Sequence, residues 1–273
     1  DPDGDRVAAA ARGASGFEVL SGNEIGVMLA DDLLARTKPS DRPLVLSTIV
    51  SSPALEPIAS EHGARWEQTL TGHKWVQNRA LQLEDEGYTY VFGYEEALGY
   101  ACSPSVRDKD GISAALHLAD IAAREKTEGR TLLDRRDRWS ERHGVCLDRQ
   151  VSVRFEGKHG SETMAAAVDR LRTEPPARIG GRPVVSSRDL LRQTVRTSEG
   201  TSTDTSLPPS NVLMFELEGG SQVMVRPSGT EPKLKYYFYA VVRVHPDGLE
   251  AAKAEATSLL DAMVADLTPA SDC

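Results

Sequence analysis

"PLVLSTIV", residues 43–50, decides how the rest of the chain is read. It is apolar, rich in β-branched side chains and bounded by turn residues, so it reads as a strand buried on both faces, as a helix-covered parallel sheet requires. On its amino side, "FEVL" (17–20) reads as a short strand. "SGNE" (21–24) is a Ser-x-x-Glu capping box opening a helix with Ile25, Met28, Leu29 and Leu33 on one side. On its carboxyl side a helix is expected near 53–62 with Pro53 in its first turn, then a strand at "RWEQTL" (65–70). A helix over 71–85, entered through a glycine loop, and a strand at "YTYVFGY" (88–94) follow. A further helix over 110–126 places Ile112, Ala115, Leu116, Ala119 and Ala123 at helical spacing. This alternation predicts an α/β unit, a doubly wound mixed sheet.

After Asp148 the texture changes. Strands are expected at "QVSVRFEG" (150–157), "NVLMFELEGG" (211–220), "SQVMVRPSG" (221–229) and "KLKYYFYAVV" (233–242), with a hairpin turning at Gly219 and Gly220. Helices near 161–172 and 247–267 accompany them; the second is read as opening on Asp247 and Glu250 as a capping box, with Leu249, Ala252, Leu260, Met263 and Leu267 on one face. This is a smaller α+β domain, an antiparallel sheet with helices on one face. "SEGTSTDTSLPPS" (198–210) reads as a polar loop, and no internal repeat is visible.

The 273 residues allow two domains, and the net charge of −9 argues against a nucleic-acid or anionic-membrane surface. An anionic ligand must therefore be met by local cations. Cys102, Cys146 and Cys273 are odd in number and lack CxxC spacing, which points to neither a disulfide framework nor a zinc cluster and fits a reducing cytoplasm. No stretch is long and apolar enough for a membrane span. The chain opens on Asp1 without methionine or signal peptide, from which an upstream segment is expected.

Four stretches carry chemistry. In "DPDGDR" (1–6), Asp1, Asp3 and Asp5 place three hard oxygen donors in one loop, which suits Mg²⁺ or Ca²⁺. An EF-hand would need Gly at the sixth place and Glu at the twelfth, where Arg6 and Arg12 stand. A solvated acidic turn is the other reading. In "TGHKW" (71–75), His73 and Lys74 stand where a glycine loop meets a helix and backbone N–H groups can face an anion; a polar surface histidine is the plainer reading. "FGYEEALGY" (92–100) leaves a strand with Glu95 and Glu96 where open α/β sheets bind ligands, so both are candidates for accepting from sugar hydroxyls, with an exposed acidic turn as the alternative. In "RPSGTEPK" (226–233), Arg226, Ser228, Gly229, Thr230 and Lys233 combine a guanidinium, two hydroxyls, backbone N–H groups and an ammonium, a set suited to phosphate; a tight β-turn is the alternative. It is not a Walker loop.

In this order the four stretches resemble the α-D-phosphohexomutases, the phosphoglucomutase and phosphomannomutase family, and "FGYEEALGY" followed by "VRDKDGISAA" is most similar to the branch with phosphopentomutase-like members. The resemblance implies that Asp1, Asp3 and Asp5 hold Mg²⁺ and that Arg6 meets the transferring phosphoryl group. It implies an acid/base role for His73 with Lys74 beside it, and a sugar-hydroxyl grip for Glu95 and the adjoining Glu96. Arg226, Ser228, Gly229 and Thr230, helped by Lys233, become the cradle of the non-reacting phosphate. Ala97 stands where many members have Ser, which leaves glucose, mannose and pentose phosphates all open.

Family members have four domains, and the phosphoserine loop of the first has no counterpart here. The resemblance therefore implies a carboxyl-terminal part: the tail of domain two with the metal loop (1–15), domain three (16–146) and domain four (147–273). Its partners would be a sugar phosphate and the missing amino-terminal domains, with a glucose 1,6-bisphosphate-type activator for the whole enzyme. Alone it is expected to be inactive and to bind Mg²⁺ weakly. Two competing readings are an aspartate-nucleophile phosphatase of the haloacid dehalogenase type, which "DPDGD" approaches to within one residue, and a non-catalytic sugar-phosphate-binding module.

Overall fold

A computed structural model describes residues 1–13 and 16–268; Cys273 lies outside them. The chain divides into two compact units, Asp1–His143 and Gly144–Cys273.

The first unit opens with an antiparallel hairpin, β1 (Ala10–Gly13) and β2 (Gly16–Val19), with Ala10 opposite Val19 and Arg12 opposite Phe17. Helix α1 (Gly22–Ala35) starts at a complete capping box: Ser21 Oγ accepts from the Glu24 N–H at 3.2 Å, and Glu24 Oε2 accepts from the Ser21 N–H at 2.7 Å. Then come β3 (Pro43–Thr48), α2 (Leu55–Glu61), β4 (Arg65–Thr69), α3 (His73–Asp85), β5 (Thr89–Glu95), β6 (Gly99–Ala101), α4 (Gly111–Thr127) and α5 (Leu132–His143). The sheet order is β4-β3-β5-β6; β3 is parallel to both neighbours and β6 is antiparallel to β5. Every residue of β3 is buried, as a central parallel strand should be.

Helices cover both faces, and a bulge decides which side chains face which. Leu44 pairs with Tyr90 but Val45 with Phe92, so Val91 is skipped. Tyr90 therefore joins Leu44, Leu46, Val76 and Ala80 on the α3 side, while the Tyr94 ring lies against Gly26 of α1.

Three sequence expectations change in this unit. Pro53 precedes α2, whose first turn it supports only by accepting the Glu56 N–H at 3.1 Å. Leu34 of α1 is fully buried and Leu33 only partly so. Helix α4 is rotated relative to the expected face: Gly111, Ala114, Leu118, Ile121 and Glu125 are buried, and Ile112 and Leu116 are 76% and 71% exposed. Two contacts set that rotation. The Gly111 N–H donates to Gly4 O at 3.1 Å, and the Glu125 carboxylate is enclosed by Arg130, Arg135 and Arg138 at 2.7–3.2 Å. A buried carboxylate left without partners is costly, and three guanidiniums satisfy Glu125 on the face that the helix buries.

The second unit holds β7 (Val145–Arg154), α6 (Gly160–Thr173), β8 (Arg178–Ile179), β9 (Arg182–Asp189), β10 (Thr194–Thr197), β11 (Gly200–Thr203), β12 (Leu213–Leu217), β13 (Gln222–Pro227), β14 (Lys233–Val242) and α7 (Leu249–Leu267). Its sheet runs β11-β10-β9-β12-β13-β14-β7 with antiparallel pairings throughout, and β8 pairs with β9 off this path. Val168 of α6 and Ala252, Ala256, Leu260 and Met263 of α7 share one core with Phe215, Val223, Leu234 and Phe238, so both helices pack on one face. The β12–β13 hairpin turns at Gly219 and Gly220, both at positive φ.

Here too the structure differs in detail. Residues 200–203 of the expected polar loop form β11, and Arg188 anchors the adjoining turn through Asp204 and Ser206. Asp247 does not cap α7; Gly248 takes the N-cap position without a side-chain bond, and Glu250 pairs with Lys253 at 2.9 Å.

The tightest packing in the first unit lies where α1 begins, because a Cβ at Gly22 would stand 1.9 Å from Glu96 O. We expect Gly22→Ala to lower unfolding free energy by about 2 kcal/mol or more, since the main chain of the turn must move to admit the methyl. Urea titration checks this.

Candidate functional site

Three of the four sequence stretches meet in the first unit. The oxygens of Asp1, Asp3 and Asp5 lie within 4.8 Å of one another in a turn closed by the Gly4 N–H on Asp1 O at 3.2 Å. Three carboxylates this close repel unless cations intervene. Arg6 supplies one, its Nε 2.5 Å from Asp1 Oδ2 and 3.5 Å from Asp5 Oδ1. Lys109, which sequence reading did not single out, supplies the other, with Nζ 3.1 Å from both Asp5 and Asp108. Burial works against its charge, but the two carboxylates outweigh burial and raise its pKa above the ordinary lysine value. Three hard oxygen donors converging from one loop fit Mg²⁺.

The acidic loop is seated on the glutamate turn: Arg6 bridges Gly99, and the Val7 N–H donates to Leu98 O at 3.3 Å. In that turn the two glutamates part company. Glu95 accepts from the Gly72 N–H at 2.8 Å and lies 3.7 Å from His73 Nδ1. Burial alone would raise its pKa, yet His73 and the Gly72 N–H hold it below the usual carboxylate value. Glu96 is turned inward, with Thr48 and Ser51 hydroxyls at 3.3 and 3.4 Å, and the Ser51 Oγ accepts from the Glu96 N–H at 3.1 Å. Burial, with a further push from Glu95, raises its pKa to about 7.

His73 is buried at the start of α3, its side chain 1% exposed. Gln77 Nε2 lies 3.1 Å from both His73 Nε2 and the Tyr90 hydroxyl, while His73 Nδ1 is on the Glu95 side of the ring, 3.7 Å from its carboxylate. His73 thus reaches outward only through Glu95, whereas Lys74 is exposed. Thr48 and Ser51 had one available signal, their place at the carboxyl end of the central strand.

The fourth stretch lies in the second unit. Arg226, one residue before the end of β13, lies directly across from Lys235 of β14. Neither has a side-chain hydrogen bond or ion pair among the described residues, and like charges facing each other across a sheet are unfavourable without an anion. Beyond them the loop turns with the Ser228 N–H on Lys233 O at 2.8 Å, leaving Gly229 and Thr230 exposed. Lys233 lies 3.6 Å from Glu231 and across from Arg154, beside a cleft of about 320 Å³ lined also by Phe155, Gly157 and Pro232.

Residues 21–139 match the family model described as phosphoglucomutase/phosphomannomutase, alpha/beta/alpha domain III. The chain is 37% identical over 242 residues to a probable phosphomannomutase of Haemophilus influenzae, using 88% of its own length and 45% of the relative's. The chain is an α-D-phosphohexomutase family member. It is 34% identical over 286 residues to human phosphopentomutase, covering 96% of itself and 45% of that protein. The structure of Paramecium parafusin, a phosphoglucomutase in its open form, shares the fold at a TM-score of 0.63 and 20% identity, with 98% of this chain and 45% of that one covered. The chain therefore spans about half the length of the curated relatives it matches. No helix among the described residues is long and apolar enough to cross a membrane.

In this phosphohexomutase chain the inward glutamate should register in pH-dependent stability. Folded Glu96 keeps its proton to about pH 7 while the unfolded side chain releases it near 4.5, so its contribution is complete below the lower value and is lost as pH rises through the higher one. Relative to wild type, Glu96→Gln should gain up to about 3 kcal/mol between pH 4.5 and 7 and no more above that. Urea midpoints across that range give the difference.

Proposed function

We propose that this chain is the carboxyl-terminal part of a mutase interconverting sugar 1-phosphates and 6-phosphates through a phosphoserine and a bisphosphate intermediate. The reading rests on the convergence, in one unit, of the acidic loop, its two cations and the Glu95–His73 pair. The sugar is a hexose or, with the terminal phosphate on its fifth carbon, a pentose, a range supported by relatives carrying phosphomannomutase, phosphopentomutase and phosphoglucomutase names at similar identity.

In the complete enzyme, the phosphoserine would give its phosphoryl group to a sugar hydroxyl: the serine O–P bond breaks as the sugar O–P bond forms, and the hydroxyl proton leaves. Such a transfer asks the protein mainly for positioning and charge stabilisation. Asp1, Asp3 and Asp5 would hold Mg²⁺, which supplies Lewis-acid stabilisation of the phosphoryl oxygens when bound. Arg6, already beside those carboxylates, meets the phosphoryl group. Glu95, kept ionised, accepts from the sugar hydroxyl, and His73 behind it steadies the carboxylate as the proton arrives. Lys74 adds an exposed cation at the same helix start. Glu96, neutral through most of the acidic range, holds the turn in place rather than competing for the proton.

The second unit's Arg226, Ser228, Gly229, Thr230, Lys233 and Lys235 bind the phosphate that is not reacting, which holds the substrate for either half of the reaction. A bisphosphate of the same sugar serves as activator.

Lacking the phosphoserine donor, the purified chain should convert no glucose 1-phosphate to 6-phosphate as followed by phosphorus NMR; steady turnover would refute this assignment of roles. It should nevertheless be stabilised against heat by sugar phosphates. Arg226→Ala should remove that stabilisation, and an unchanged shift would place the phosphate elsewhere.

A further inference from the structure

Of the seven tyrosines in the chain, Tyr90, Tyr94, Tyr100, Tyr236, Tyr237 and Tyr239 are buried, at 4% exposure or less. Tyr88 alone reaches solvent. Its ring packs against the core that holds Leu44, Leu83 and Tyr90, and its hydroxyl stands at the surface. It lies in the turn between α3 and β5, just after Gly87 at a φ of +86°. Two guanidiniums lie over the ring, Arg42 Cζ at 4.1 Å and Arg65 Cζ at 4.7 Å from its centre. Hydrogen bonds from Arg42 and Arg65 hold the phenol below the ordinary tyrosine pKa. Arg42 precedes β3, Tyr88 precedes β5 and Arg65 opens β4, so the cluster gathers at the amino ends of three parallel strands. That is the opposite end of the sheet from Thr48 and Glu95.

Positive charge is in local surplus around this hydroxyl. Arg42 has no carboxylate partner among the described residues; its Nη1 donates to Glu86 O at 2.9 Å. Its main chain sits at a φ of +51°, held by its own N–H on Pro39 O and by the Thr89 N–H on its carbonyl, both at 3.0 Å. A non-glycine residue keeps that conformation only when its surroundings impose it. Arg65 pairs with Glu67, but Glu67 is shared with Arg79 at 2.6 Å, and Glu86 stands 3.6 Å from Arg65. Three guanidiniums therefore face two carboxylates. A phosphate on the phenol oxygen would make charge-assisted hydrogen bonds to the two nearest. Glu84, Asp85 and Glu86 lead into the turn, an acidic approach that complements a cationic enzyme surface. We propose that Tyr88 is a site of tyrosine phosphorylation, its phosphate received by Arg42 and Arg65. In that step the Tyr88 oxygen bonds to the γ-phosphorus of a nucleoside triphosphate, the bond from that phosphorus to the leaving diphosphate breaks, and the phenol proton passes to a base of the modifying kinase. The phosphate then ties together the starts of β3, β4 and β5, independently of the mutase roles assigned above.

The test incubates the folded chain with a broad-specificity tyrosine kinase domain, Mg²⁺ and ATP. One phosphate should be gained, located at Tyr88 by tandem mass spectrometry, and Tyr88→Phe, which keeps the packed ring, should gain none. In phosphorus NMR the phosphate should titrate about half a unit or more below the pKa of about 6 of an exposed phosphotyrosine. Arg42→Gln and Arg65→Gln, phosphorylated in the same way, should each return that value at least halfway. Exchange of the Thr89 amide, which donates to the Arg42 carbonyl, should slow on phosphorylation. A folded chain that takes no phosphate, or takes it at another tyrosine, overturns the proposal. So does a phosphate on Tyr88 of the wild-type chain that titrates like an exposed one, a result that needs no arginine variant to fold.

Discussion

The inward carboxyl of Glu96 is the constraint on which the first unit's site depends. Its hydroxyl partners stand at the end of the central strand and in the loop after it, so the glutamate turn is tied to the most buried element of the sheet. The same turn is clamped from the other side, where its main chain rests on Gly22 at the start of α1. Held between the two, the turn tolerates Leu98 at a φ of +69°, a conformation that costs a non-glycine residue about 1 kcal/mol or more and persists only when its surroundings impose it. That strained residue then offers its carbonyl to Val7 and so receives the acidic loop.

One carboxyl thus organises three loops, and its protonation state gives its neighbour a distinct task. Two adjacent ionised glutamates would raise each other's pKa values and blur their roles. Below about pH 7 Glu96 keeps its proton, which leaves Glu95 as the charged member of the pair, directed at Gly72 and His73. The pairing of a raised and a lowered carboxyl on consecutive residues is a recurrent way of separating a structural acid from an ionised acceptor.

How far the sequence could be read depends on which forces act locally. The capping box at Ser21 and Glu24, the buried run at 43–48 and the diglycine turn at 219–220 are local signals, and each element stands where they placed it. Helix α4 departs from its apolar spacing because that spacing alone could not reveal Glu125 gathering three arginines from the following segment. Helix α5 itself, "LLDRRDRWSERH", is too charged to show an apolar stripe, and its Leu132 and Trp139 are its buried apolar contacts. The bulge at Val91 inverts the alternation of β5, which no period-two pattern discloses. In the site, the residue types that carry charge were legible as motifs. Lys109 and Gln77 were not, since Lys109 reaches the acidic loop from a distant part of the sequence and Gln77 meets a histidine that is itself buried.

In a chain of net charge −9, arginines and lysines are mostly paired: Arg124 with Asp32 and Asp120, Arg172 with Asp169 and Asp189, Lys109 with Asp5 and Asp108. Arg226 and Lys235 depart from that pattern by facing each other across adjacent strands with no carboxylate partner among the described residues. With so many acids available, leaving two cations opposed is unfavourable in the free protein and becomes favourable when a dianion lies between them. The acidic loop is the mirror case, three anions drawn together with their cations supplied from Arg6 and Lys109. Each unit therefore holds a surplus of one sign at one loop, negative at the amino-terminal turn and positive where β13 meets β14.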